Sequence, residues 1–186
     1  VQNIGAYGVE AGDAITNVEG VFITTGEDFH LSKAECQFGY RQSIFKNEFK
    51  NRCVITSVEF LLSKSPQLTL SYGAVRSEVE KLGEINLQNI RKAIIAIRES
   101  KLPDPAVTGN AGSFFKNPVV DAATFARLAA RFPELPHYPQ ADGTVKLAAG
   151  WLIECCGWKG RDLGPVRAYE KQALVLVNRG GACGAD

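Results

Sequence analysis

Gly109-Asn110-Ala111-Gly112-Ser113-Phe114-Phe115-Lys116-Asn117-Pro118 sets a hydroxyl, an ammonium and an amide beside two glycines and two large aromatics. The glycines let the backbone turn where a side chain would clash, and Pro118 stops a helix from running across the segment. The aromatics call for burial. An ordinary surface loop is richer in Ser, Asp and Pro and poorer in Phe. The stretch therefore reads either as a site wall or as a tight turn between two core strands, with the phenylalanines as anchors.

Outward from that stretch the chain has room for one large domain or two small ones, since 186 residues allow a sizeable core. Apolar content of 45% and charged content of 22% suit a globular protein. A net charge of +1 gives no electrostatic case for nucleic acid or an anionic membrane. No apolar run approaches the ~20 residues of a membrane span, and no signal peptide opens the sequence. Cys36, Cys53, Cys155, Cys156 and Cys183 lack framework spacing and read as reduced thiols of a cytoplasmic protein. His30 and His137 have no metal-ligand neighbours at useful spacing, so no metal site is expected. The lack of Met and the abrupt ends suggest a piece of a longer polypeptide.

Two further stretches are dense in chemistry. Gln2-Asn3-Ile4-Gly5-Ala6-Tyr7-Gly8 is made of small residues and amides, able to lie flat against a planar ligand or to form a turn around a packed tyrosine. Gly39-Tyr40-Arg41-Gln42-Ser43-Ile44-Phe45-Lys46 sets Arg41 among large apolar residues. A buried guanidinium needs an anion, and no acid lies between Glu35 and Glu48. The alternative is a surface arginine.

The remaining pattern is that of short strands and helices. Val18–Thr25 and the Gly26-Glu27-Asp28 turn predict a hairpin, and Arg52–Leu62 alternates as a strand. Leu68–Tyr72 reads as a second strand with Tyr72 at its tip. Apolar residues at helical spacing predict helices over Leu87–Glu99, from about Asp121, and over Leu147–Cys156. Ala173–Val177 is a buried strand. The proline-bearing run Lys101-Leu102-Pro103-Asp104-Pro105 is the candidate boundary. The fold class is α+β in two parts, 1–102 and 103–186.

Ser113 does not sit in a Gly-x-Ser-x-Gly elbow, and neither a Gly-x-Gly-x-x-Gly fingerprint nor a Walker A sequence is present. A serine hydroxyl can still give a proton to carbon, because an enolate is a strong base. An arginine on the adjacent carboxylate would stabilise that enolate. Six motifs now carry a resemblance. They are 2–8, 39–46, 101–105 and 109–118, together with Tyr138-Pro139-Gln140-Ala141-Asp142-Gly143 and Lys146-Leu147-Ala148-Ala149-Gly150-Trp151-Leu152-Ile153. Taken in order, they resemble the UDP-N-acetylenolpyruvoylglucosamine reductase (MurB) family, in the form that carries an extra tyrosine-bearing substrate loop.

The resemblance implies part of an FAD-binding (PCMH-like) domain over 1–102, joined to a MurB-type substrate-binding domain, incomplete at its C-terminal end, over 103–186. It implies NADPH reduction of a bound FAD and then reduction of UDP-N-acetylglucosamine enolpyruvate to UDP-N-acetylmuramate for peptidoglycan. By resemblance Ser113 is the carbon acid and Arg41 the carboxylate ligand. Gln2, Asn3, Ile4, Gly5, Ala6, Tyr7 and Gly8 belong to the FAD cradle. Tyr72 matches the mobile tyrosine, and Tyr40, Lys101, Asn117, Tyr138, Lys159 and Gln172 match substrate-lining positions. The family's amino-terminal flavin lobe has no counterpart here, and its catalytic glutamate belongs to a segment past Asp186, so Glu170 is not given that role. The expectation is weak or absent FAD and no turnover by this chain alone. The alternative is a non-catalytic module that binds the UDP-sugar.

Overall fold

The computed structural model describes residues 2–186; Val1, just before the 2–8 motif, lies outside the described residues. The chain divides into two compact units, one up to Ile94 and one over Ile95–Asp186.

The first unit opens with two very short strands, β1 (Gly5–Ala6) and β2 (Val9–Glu10), paired antiparallel around Tyr7 and Gly8. Both turn residues have positive φ, 53° and 81°. That is the backbone sign a two-residue hairpin needs to match strand twist, and Gly8 meets it without strain. One helical turn, α1 (Ala11–Ala14), follows, with Glu10 and Asp13 capping it reciprocally. Next come β3 (Ile15–Phe22), β4 (Asp28–Ser32) and β5 (Cys53–Phe60), in spatial order β4-β3-β5. The expected hairpin is β3–β4, turned through Gly26 at φ 72°.

On β5 the simple alternation fails at one point. Ser57 pairs with Glu19 and Ile55 with Gly20, so Thr56 is a bulge. The extra residue brings Ile55 and Val58 to the same core, against Ile15, Val18 and Cys36. Gly20 must stay bare, because a Cβ there would fall 2.4 Å from the Val54 carbonyl oxygen. Burial pushes the Cys36 thiol above its ordinary pKa, so it sits in this core as a small apolar residue. After β5 the expected strand Leu68–Tyr72 does not form, because no neighbouring strand offers it a ladder. Instead α2 (Val75–Lys81) buries Val75 and Val79 one turn apart. Helix α3 (Leu87–Lys101) follows, and its residues Ala93 and Ile97 are buried at the same spacing.

The second unit begins within α3. Its strands are β6 (Asn110–Ser113), β7 (Val119–Val120), β8 (His137–Pro139), β9 (Val145–Leu147), β10 (Asp162–Leu163), β11 (Val166–Ala168) and β12 (Val175–Asn178). They form two antiparallel sheets, β10-β11-β12-β6 and β7-β9-β8. Helix α4 (Ala122–Arg131) starts at Asp121, whose carboxylate accepts the Thr124 N–H at 2.7 Å. Helix α5 (Ala149–Cys155) starts later than its apolar pattern suggests, since Val145 and Leu147 alternate as a strand and point into the core. That core is Leu135, Val145 and Leu147, packed by Val120, Phe125, Leu128, Trp151 and Leu152. Among the described residues no helix is long and apolar enough to cross a membrane.

Candidate active-site residues

In the first unit three sequence-singled stretches come together. Gly39 and Gln42 exchange both main-chain hydrogen bonds at 3.0 Å, which makes Tyr40-Arg41 a two-residue turn. Arg41 adopts φ 54° there, a conformation that costs a bulky side chain on the order of 1 kcal/mol. Its guanidinium Nη2 donates to the Gly5 carbonyl at 3.0 Å, so the arginine lies on the β1 strap. Lys46 Nζ in turn donates to the Arg41 carbonyl at 3.2 Å. Arg41 is half-buried and forms no ion pair among the described residues. The anion that its burial calls for is thus not a carboxylate of these residues.

Tyr72 reaches the same strap by another route. It is 54% exposed, and its ring meets Tyr7 edge-on at 6.0 Å. Gly8 is bare for the same reason, since a Cβ there would stand 2.9 Å from Thr69 Cγ2. Asn3 is 3% exposed. Gln2, Ile4, Ala6 and Gly8 are exposed, while Gly5 and Tyr7 are half-buried. Gln42, directly after Arg41, keeps a buried Oε1 with no hydrogen-bond partner among the described residues. A buried acceptor left unpaired costs free energy and asks for an explanation.

In the second unit Ser113 ends β6 and pairs with Val175 of β12. It is exposed, and the Asn110 side chain holds the turn before it by accepting the Gly112 N–H at 2.9 Å. Gly112 has φ 62°, which explains the glycine. The phenylalanines depart from expectation. Phe114 and Phe115 stack edge-on at 5.2 Å yet remain 61% and 46% exposed. They anchor no core within this unit, so the tight-turn-with-anchors reading is corrected.

Asn117 and Gln172 gather at the start of α5. Asn117 Oδ1 accepts the Ala149 N–H at 2.9 Å, and Gln172 Oε1 lies against Gly150. Tyr138 is exposed on β8, with Lys146 Nζ 5.9 Å over its ring. Lys159 donates to Glu154 at 2.9 Å. Lys101 is exposed at the end of α3. Glu170 stands 4.0 Å from Arg167, on the edge of an ion cluster in which Asp162 binds Arg167 and Arg179. The Arg167 guanidinium beside it holds the Asp162 carboxyl below the usual range. Glu10 and Gly12 lie outside the stretches singled out from the sequence, and Gln42 stands in one of them without a role. Asn3 bonds to Glu10 and Gly12 seven and nine residues on, and such bonds leave no mark in composition.

Residues 104–186 match the family model described as "UDP-N-acetylenolpyruvoylglucosamine reductase, C-terminal domain". The UDP-N-acetylenolpyruvoylglucosamine reductase of Azoarcus sp. (strain BH72) is 54% identical, the match covering 100% of this chain and 54% of that protein. Along its whole length the chain is similar to about half of a UDP-N-acetylenolpyruvoylglucosamine reductase. The reductase of Bacteroides fragilis is 52% identical, with 100% of this chain and 56% of that protein covered. Among solved structures, UDP-N-acetylenolpyruvylglucosamine reductase (MurB) from Thermus caldophilus matches with a TM-score of 0.58. Its sequence is 24% identical, and the match covers 100% of this chain and 50% of that one, a likeness of fold. The chain spans about half the length of the reductases it matches.

Proposed function

We propose that this chain supplies the carboxylate-binding and carbon-protonating groups of a flavin-dependent reductase. The reaction converts UDP-N-acetylglucosamine enolpyruvate to UDP-N-acetylmuramate with NADPH. The observation that carries the reading is Arg41, half-buried on the β1 strap with no carboxylate of the described residues to pair with. A substrate carboxylate is the anion that would complete it.

Residues 1–102 are read as flavin-binding and residues 103–186 as substrate-binding. The residues present fit a bound planar group. Gln2, Ile4, Ala6 and Gly8 of the strap are exposed, Ile4 at 67%, and Gln42 Oε1 is a buried acceptor in want of a donor. Gln2, Asn3, Ile4, Gly5, Ala6, Tyr7 and Gly8 would hold the flavin, which supplies, once reduced by NADPH, the hydride for the enolpyruvyl double bond. When hydride adds to the terminal carbon, charge builds on the carbon beside the carboxylate and spreads onto its oxygens. Arg41 neutralises that charge. Ser113 donates its hydroxyl proton to that carbon, giving the lactyl ether, and its oxygen takes a proton back afterwards. Tyr40, Tyr72, Lys101, Asn117, Tyr138, Lys159 and Gln172 line the substrate. In Asn117 and Gln172 the carbonyl ends hold the start of α5 and the bend before β12, which leaves the amide nitrogens to donate.

The test uses the Azoarcus reductase with its matching stretch replaced by this chain. Ser113→Ala should slow reduction of the enolpyruvyl substrate by ~10² to 10⁴-fold. Reduction of the flavin by NADPH, followed separately by stopped-flow absorbance, should change far less. Equal slowing of both half-reactions removes Ser113 from the role of carbon acid.

A further inference from the structure

Asn3 is buried in a cramped place with a left-handed backbone. It is 3% exposed with φ 53°, and its short amide serves three partners. Nδ2 donates to the Gly39 carbonyl at 2.9 Å and to Glu10 Oε2 at 2.6 Å, while Oδ1 accepts the Gly12 N–H at 2.7 Å. The orientation of the amide is fixed by chemistry, since Gly12 N–H can only donate and Gly39 C=O only accept. The fit is close. A Cβ at Gly12 would lie 2.8 Å from Asn3 Oδ1 and 3.1 Å from Phe38 Cβ.

These bonds close a ring around Arg41. Gly39 begins the turn that carries the Arg41 backbone, paired twice with Gln42. Gly5, two residues beyond Asn3, provides the carbonyl that accepts from the Arg41 guanidinium. Both ends of the arginine, its backbone and its charged head, are therefore referred to one amide. We infer that Asn3 is a positioning residue for Arg41: through Gly39 it sets where the guanidinium is presented to a substrate carboxylate. This rests on the proposal that Arg41 binds that carboxylate. A bond of this kind matters because a misplacement of ~1 Å in such a group can cost ~10²-fold in rate.

The amide's other two bonds hold the strap together, so the experiment must separate the strap from the arginine. Asn3→Asp keeps the acceptor for Gly12 N–H. It loses the donor to Gly39 and sets a carboxylate against Glu10. Adding Glu10→Gln returns a donor to position 10, so the 3–10 bond is restored beside the retained 3–12 bond, and the change that remains is at Gly39, whose carbonyl loses its donor and faces an oxygen instead. Both variants, and Glu10→Gln alone, are made in the Azoarcus reductase carrying this chain. Melting temperature, flavin content and the rate of enolpyruvyl reduction per bound flavin are measured.

The expected result is that the double variant regains the melting temperature while its kcat per flavin stays ~10- to 100-fold low. Glu10→Gln alone should keep a normal rate per flavin. Recovery of rate together with melting temperature in the double variant overturns the inference, as does a normal rate in Asn3→Asp. Arg41→Ala in the same protein separates the two levels of failure. If it leaves enolpyruvyl reduction unchanged, the role of Arg41 falls and the inference with it. If it abolishes reduction while the double variant is normal, only the role of Asn3 falls.

Discussion

Arg41 pays a conformational cost that a glycine or asparagine at the same place in the Gly39–Gln42 turn would avoid. A bulky residue at φ 54° is strained by on the order of 1 kcal/mol, and the single main-chain bond to Gly5 returns a similar amount. Strain held at such a balance points to what the side chain does rather than to how the unit folds. Asparagine tolerates the same backbone at little cost. Arg41→Asn in the grafted reductase should thus keep its stability within ~0.5 kcal/mol, because relief of strain offsets the lost bond. Its enolpyruvyl reduction should fall by ~10²-fold or more. A chemical-denaturation curve and a steady-state assay read the two effects apart. A large loss of stability together with activity would make Arg41 a structural residue. The sequence singled out this arginine because no acid neighboured it. Its anchor remained hidden, since a carbonyl 36 residues away leaves no mark in composition.

Elements were legible where the local signal needed no distant partner. The β3–β4 hairpin follows from a β-branched run broken at Gly26, and α4 from an apolar stripe with Asp121 before it. Leu68–Tyr72 has the residues of a strand but no ladder to join. Leu147 fits a helix stripe and a strand face equally, and its pairing with His137 decided for the strand. The exposed Phe114 and Phe115 went against their hydrophobicity, as residues at candidate sites often do. The cap of α4 makes a prediction at this scale. The backbone N–H of Thr124, then its hydroxyl, hold the Asp121 carboxyl below the usual aspartate range. A depressed folded pKa gives stability that is complete above the unfolded value and is lost as pH falls through the folded one. Asn caps as well but does not titrate there. Asp121→Asn should therefore match or fall slightly below the parent at neutral pH and overtake it in acid, where protonation weakens the parent's cap. Melting temperatures across an acid series would show the curves crossing. Parallel curves would mean that the cap carries none of the acid sensitivity.

At the scale of the chain, α3 raises a question of boundaries. Cα packing divides the molecule between Ile94 and Ile95, in the middle of a continuous helix, whereas the proline-bearing run lies after it. A cut through a helix would break intrahelical hydrogen bonds on both sides, so the physical seam should be where the backbone ladder already stops. Leu102 N–H still bonds back to Arg98, and two residues later Asp104 accepts from Ala106, Val107 and Thr108 in a tight turn. Proteases need several residues of extended chain, and an exposed turn yields them at lower free energy than a helix interior. We propose that 102/103 is the working boundary. Limited trypsin treatment should first cut after Lys101, ahead of Arg91, Lys92 and Arg98, although all four are exposed. Intact-mass spectrometry of the earliest products would then find a fragment beginning at Leu102. A first cut after Arg91 or Lys92 would show that α3 opens before the loop does, and would move the seam into the helix.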